Sequence, residues 1–271
     1  HECWLWPTWR VVRDIICAAT SHDRCRYADL PQVQPFVGPA DVFISHCWGS
    51  KWGDLVCAAI DGARSDRRVW IDIFAVRQWP GNDADLDFRG VIARCNAVIV
   101  AVSRVDELTT FMPTKPEHAA FLTSSRGVET QTCMAFFRLW CIVELAAAVD
   151  AGKPVVIKGG VAQRNDDGSY VYDTEKMNIM LDNLTHMIDC EKSQCAVQAD
   201  YDREMKAIRS MKGGVKNIDR MVVGVLEGAT NSISANVPEV DAFVCGEPES
   251  LRAMGLELRS QGQERNRAME I

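Results

Sequence analysis

The chain has 271 residues, 47% of them hydrophobic and 25% charged, enough for one large domain, or one domain with appendages, around a sizeable core. Its formal net charge is −7 and its Lys and Arg residues are scattered, which sets nucleic acid and anionic membrane aside as default partners. No apolar run approaches the roughly 18 residues of a membrane span, so none is expected.

Taken in order, Leu5-Trp6-Pro7 opens a helix, with Pro7 suited to its first turn. Trp9, Val12, Ile15, Ile16 and Ala19 recur at helical spacing and predict its buried face. From Ser21 the sequence is polar and punctuated by Pro31, Pro35 and Pro39, so residues 1–38 read as a helix and a connector. Asp41-Val42-Phe43-Ile44-Ser45 has the apolar character of a fully buried parallel strand, and Cys47-Trp48-Gly49-Ser50 follows as a turn. Asp54 to Arg64 carries helical periodicity, and Val69-Trp70-Ile71-Asp72-Ile73 predicts a second strand. A polar loop from Arg77 to Asp87, a short helix over Phe88–Arg94 and a third strand over Ala97–Ser103 come next.

Residues 104–138, with Pro113 and Pro116, predict a long irregular insertion, a kind of connection that often serves as a lid or binding segment. The run from Arg138 to Val149 is apolar and helix-compatible; Gly152 closes it, and Lys153–Ile157 predicts a fourth strand. Asp167-Gly168 predicts a hairpin between Val161 and Tyr172. Helices follow at Met177, Leu181, Leu184 and Ile188, then at Tyr201, Met205 and Ile208, the latter ending near Gly213-Gly214. Asn217 is the expected N-cap of a last helix. Residues 229–271 read as a polar extension in which Pro248 opens a charged helix. There is no internal repeat.

Short apolar strands alternating with helices predict an α/β fold, an open parallel sheet with helices on both faces and extra helices at both termini. Right-handed crossovers put the carboxyl ends of the strands on one edge, where open sheets bind ligands. Ser45, His46, Cys47 and Trp48 after the first strand, Asp72 and Phe74 after the second, and Ser103 after the third are the candidates there. Glu144 is the sole acid from Thr130 through Val149, and Trp140 is its i,i+4 neighbour. An unpaired carboxylate on a buried helix is costly and has its pKa raised, so Glu144 lies either on a solvated stripe or in a cleft beside an aromatic wall. His46 serves as a turn residue or a ligand contact, Trp48 as core or stacking platform, and Asp72 as a loop cap or a site residue.

Eleven cysteines, an odd number without a tight framework, argue against a disulfide scaffold and for a reducing, cytoplasmic compartment. Cys17, Cys57, Cys95 and Cys141 read as small core hydrophobes, and the isolated His22/Cys25 and Cys190/Cys195 pairs do not make zinc sites. The first residue is His1 rather than Met, which suggests a processed product or a fragment, and His1-Glu2-Cys3 is unlike a signal peptide. GxGxxG, P-loop and GxSxG fingerprints are missing.

Asp-Val-Phe-Ile-Ser at 41–45, Val-Trp-Ile-Asp at 69–72, Ala-Val-Ile-Val-Ala-Val-Ser at 97–103 and Trp-Cys-Ile-Val-Glu-Leu at 140–145 occur in that order. Together they resemble a TIR domain (Toll/interleukin-1 receptor type), a flavodoxin-like parallel sheet, over roughly residues 40–160 and on to about 228 if the later helices complete it. The resemblance implies a domain over 39–228 carrying 104–138 as an insertion. Catalytic members of the family cleave NAD+ at the nicotinamide–ribose bond and carry a Trp-x-x-x-Glu pattern, matched here by Trp140 and Glu144. The implied activity is a NAD+ glycohydrolase in intracellular signalling or defence, releasing nicotinamide and ADP-ribose or a cyclic ADP-ribose. Glu144 is its catalytic residue, and Trp140, His46, Cys47, Trp48, Asp72 and Phe74 contact the substrate. NAD+ is then substrate rather than cofactor, no metal is involved, and the partners are other TIR-like domains through homo-oligomerisation. Cys47-Trp48 departs from the basic or small residues common after the first strand in catalytic relatives. A non-enzymatic self-association module is the alternative, and a nucleoside deoxyribosyltransferase-like enzyme a third reading.

Overall fold

A computed structural model describes residues 2–234. Five strands form one sheet in the order β2-β1-β3-β4-β5. They are β1 (Val42–Ser45), β2 (Val69–Trp70), β3 (Ala97–Ser103), β4 (Val155–Arg164) and β5 (Tyr170–Asp173). The first four are parallel, with Val42 opposite Val69 and Ala97, and Val98 opposite Val155. β5 returns antiparallel on β4 through the expected hairpin, pairing Val161 with Asp173. The sheet is therefore mostly parallel and mixed, not all-parallel. β4 also runs well past Ile157, because its parallel ladder with β3 continues to Gly160 and its last four residues, from Val161 to Arg164, pair with β5.

The helices, in chain order, begin with α1, built from contiguous pieces at Thr8–Val11, Val12–Ile16 and Cys17–Thr20. Next are α2 (Trp52–Ile60), the single turn α3 (Asp72–Ala75), α4 (Phe88–Arg94), α5 (Lys115–Thr123) and α6 (Ser125–Cys133). Then come α7 (Leu139–Asp150), α8 (Met177–Thr185), α9 (Gln198–Ser210) and α10 (Gly214–Ser234).

Alternation along the strands decides which helix covers which face. Val42, Ile44, Ile99 and Ala101 point to one side and pack with Val12 of α1 and Leu55, Ala58 and Ala59 of α2. Phe43 and Val98 point to the other, against Ile92 of α4 and Ala147 and Ala148 of α7. Val100 and Val102 share that side with Ile142 and Leu145 of α7, and α8, α9 and α10 complete this larger cluster. α7 is thus buried around nearly its whole circumference, the environment that its unbroken apolar sequence requires.

Four local expectations are corrected. In α1 the buried residues are Thr8, Val11, Val12, Ile16 and Thr20, while Trp9, Ile15 and Ala19 face outward. The middle piece is a π-helical turn, whose wider winding moves the buried stripe off the 3.6-residue period. The second strand stops at Trp70, and Asp72 opens the helical turn α3, with its Oδ1 accepting the Ile73 N–H. Residues 104–138 are ordered and largely helical, with α5 and α6 in the segment and Leu108, Phe121, Met134, Ala135, Phe136 and Phe137 in the main core. A capping box of Thr114 and Glu117 starts α5, and Pro116 sits in its first turn where its missing N–H costs nothing. Finally, α10 begins at Gly214 and Asn217 lies within its first turn, and the helix passes Gly228 without ending. The reading of Pro248 as a helix start, like most of the 229–271 extension, lies outside the described residues.

Candidate active site

Glu144 sits in the middle of α7 with its residue 8% exposed. Its Oε2 accepts a 2.6 Å hydrogen bond from Ser45 Oγ, the last residue of β1. The helix thereby brings its carboxyl to the carboxyl end of the strand next to the sheet centre, where an open sheet leaves room for ligands. Burial raises the Glu144 pKa to about 8, the Ser45 hydroxyl opposes the shift, and the negative charge of Asp72 adds to it. At neutral pH the unliganded carboxyl therefore holds a proton.

Glu144 and Trp140 open into one cleft of about 320 Å³. α4 forms the facing wall with Phe88 and Ile92, Asp87 and Arg89 stand at its rim, and Arg203 and Glu204 of α9 close the remaining side. The Trp140 ring meets Phe88 edge-on at 5.5 Å, and the Arg203 guanidinium lies 5.6 Å from the Trp140 ring centre. The indole thus contacts a phenyl ring and a guanidinium, and its ring and a carboxyl share one concave surface.

Asp72, His46 and Trp48 form a second group beside the first. Trp48 is 37% exposed and its indole N–H donates to Asp72 Oδ2 at 2.8 Å. His46 Nε2 lies 3.6 Å from Asp72 Oδ1, too far for a hydrogen bond, and this buried nitrogen has no other partner in the structure. Burial lowers the His46 pKa against the opposing charge of Asp72 and a hydrogen bond with the Ile44 backbone, so the ring is held neutral. Asp72 connects this group electrostatically to Glu144, but none of its three members lines the Glu144 cleft.

Cys47 and Phe74 are placed elsewhere. The Cys47 thiol is buried, donates to the Thr132 carbonyl at 3.1 Å and has its pKa pushed up by burial. Gly49 in the same turn presses so closely on the Thr132 carbonyl that a Cβ has no room, which docks the end of α6 onto the turn after β1. Phe74 packs with Tyr27 and Trp52, at 5.4 and 5.9 Å between ring centres, on the α1 side of the sheet. No residue of 104–138 lines the Glu144 cleft, so the segment is a buttress for the β1 turn.

Sequence reasoning singled out Ser45 as an edge residue without its bond to Glu144, and it did not reach Phe88, Arg203 or Glu204. Phe88 carried a faint signal, the Asp87 N-cap whose carboxylate accepts from Gly90 N. Arg203 and Glu204 carried none, since only the packing of α9 brings them to α7. Among the described residues no group of His, Cys, Asp and Glu is arranged to hold a metal ion, and the described cysteines are free thiols. No helix among those residues is long and apolar enough to cross a membrane. Comparison with protein-family models, curated proteins and solved structures found no match to this chain.

Proposed function

We propose that this chain is a TIR-like NAD+ hydrolase that breaks the nicotinamide–ribose bond, with Glu144 facing the ribose and Trp140 forming the wall beside it. The observation that carries the reading is the shared cleft, in which a buried carboxyl held by Ser45 and an indole in contact with Phe88 and Arg203 line one cavity of about 320 Å³. The strand order β2-β1-β3-β4 supports a flavodoxin-like, TIR-like sheet, and the antiparallel β5 is its departure from that pattern. A non-enzymatic module has no need to bury a carboxyl in a concavity, and Glu144 has a hydroxyl rather than a cation as its partner.

The chemistry asks little of the protein. Nicotinamide leaves as a neutral molecule, taking the electron pair of the C1′–N bond, so no general acid is needed. An ionised Glu144 stabilises the oxocarbenium-like ribose in a site preorganised by Ser45. Water then adds to C1′, and the proton it loses passes to the Glu144 carboxylate. The pyridinium of the arriving substrate favours the ionised form of a group whose pKa is about 8 in the empty cleft, so substrate binding and proton release are coupled. By the same reading the protein is an intracellular, self-associating one.

The test is nicotinamide release from NAD+ by concentrated protein, with Glu144→Ala alongside. The expected result is release by the parent and none by the variant. Release by both moves the chemistry away from Glu144. Silence from both, with a crowding agent present to drive assembly, removes the hydrolase reading in favour of the interaction module. Base exchange between deoxynucleosides with NAD+ untouched replaces it with the transferase.

A further inference from the structure

The cleft that holds Glu144 and Trp140 also has an arginine at its rim, Arg89 in the first turn of α4. We propose that Arg89 takes the phosphate on the nicotinamide ribose, so that the cleft recognises the nicotinamide mononucleotide half of NAD+ and leaves the adenosine half outside; the inference rests on reading this cleft as the site of nicotinamide–ribose cleavage.

The ionisable side chains lining the cleft are Asp87, Arg89, Glu144, Arg203 and Glu204. All but one of them are already engaged. Arg203 is neutralised by Glu204 at 2.9 Å and by Asp200 at 2.7 Å, and its guanidinium lies over the Trp140 ring. Asp87 is the N-cap of α4: its Oδ1 accepts the Gly90 N–H at 3.0 Å, and its carboxylate lies so close to Gly90 that a Cβ there has no room. Glu144 is bonded to Ser45 and, in the empty cleft, holds a proton at neutral pH. Arg89 remains. Among the described residues its guanidinium has neither a hydrogen bond nor an ion pair, so no existing contact has to break before it meets a ligand.

The charges of the ligand match what is left. Nicotinamide mononucleotide is cationic at the pyridinium and anionic at the phosphate, with the ribose between them. The cleft offers a carboxyl on α7 and a guanidinium on α4, its facing wall. The two helices are fixed against each other, because Ile92 of α4 is buried in one cluster with Ala147 and Ala148 of α7, and Phe88 meets Trp140 at 5.5 Å. An anchor on α4 therefore sets where the ribose lies relative to Glu144. Arg89 is exposed, and a lone surface charge contributes little by itself. Its planar fork laid on phosphate oxygens gives paired charge-assisted hydrogen bonds, which a riboside lacking the phosphate cannot make. At about 320 Å³ the cleft stands at the lower end of the range for small-molecule sites, about 300–1,000 Å³, which suits half of a dinucleotide.

Calorimetric binding of nicotinamide mononucleotide and of nicotinamide riboside, which differ only in the phosphate, tests the assignment. The Glu144→Gln protein serves as host, so that the ligands survive the titration. The mononucleotide is expected to bind about ten-fold or more tightly than the riboside, and adding Arg89→Gln to erase that preference while leaving riboside affinity in place, which also shows that the variant is folded. Arg89→Lys keeps the charge without the fork and is expected between the two. In the protein with Glu144 intact, Arg89→Gln should lower kcat/KM for NAD+ about ten-fold or more, through KM. Equal binding of the two ligands, or a preference that survives Arg89→Gln, overturns the proposal. Adenosine monophosphate binding as tightly as nicotinamide mononucleotide also overturns it, leaving a phosphate contact that does not read the nicotinamide half. Nicotinamide release by the parent separates the two readings: an Arg89-dependent preference without NAD+ cleavage removes the hydrolase and keeps the phosphate contact, whereas cleavage without that preference removes the Arg89 assignment alone.

Discussion

Replacing Glu144 with Gln should stabilise the protein at alkaline pH, and the structure gives the size of the effect. The side chain keeps its shape and still offers Ser45 Oγ an acceptor. What disappears is the cost of ionising a carboxyl in a buried site. The parent group titrates near 4.5 when unfolded and at about 8 when folded. Between those values the native state binds more protons than the unfolded state, so stability falls as pH rises through this window and levels off above it. At about 1.4 kcal/mol per pKa unit, the shift to about 8 corresponds to roughly 5 kcal/mol lost by the parent and not by the variant. Urea unfolding of both proteins at pH 5, 7 and 9 measures it, and the difference between them cancels every other titrating group, including the buried His46. The variant is expected to gain steadily on the parent from pH 5 to pH 9. Parallel profiles would refute the claim that Glu144 is buried with a raised pKa. An accompanying loss of NAD+ cleavage would mark the carboxyl as a group kept for chemistry at a cost in stability.

Two other changes probe the same framework. Ser45→Ala removes the one contact that lowers the Glu144 pKa, so the acid limb of NAD+ cleavage should move to higher pH; a profile that stays in place shows the Ser45 hydroxyl to be irrelevant to ionisation. Asn183→Ala should cost about 2–4 kcal/mol in urea unfolding, because buried Asn183 receives Met112 N–H and donates to the Leu108 and Thr110 carbonyls, clasping the start of residues 104–138 to α8. A loss below about 0.5 kcal/mol would mean that these bonds are replaced by water.

The sequence by itself determined the parallel strands at the centre of the sheet and singled out Glu144 as the lone acid of an apolar helix. The apolar runs at 42–45 and 97–103 contain too few polar residues for any surface position, so they had to be central strands covered on both sides. Glu144 stood out because one acid in an apolar helix has to be satisfied somehow, and the raised pKa follows from that burial. Where periodicity failed, a local device had replaced it: a π turn in α1, a helix starting at Asp72 where alternation suggested a strand, and a capping box that turns a proline-bearing stretch into α5. Only the tertiary structure decided which residues meet Glu144. Ser45 lies 99 residues away in sequence and Arg203 arrives on a helix from beyond the sheet, and a contact between distant residues leaves no periodic trace in either segment. Packing likewise separated Phe74 and Cys47 from the cleft, because the side a residue faces on leaving a strand depends on where the strand ends.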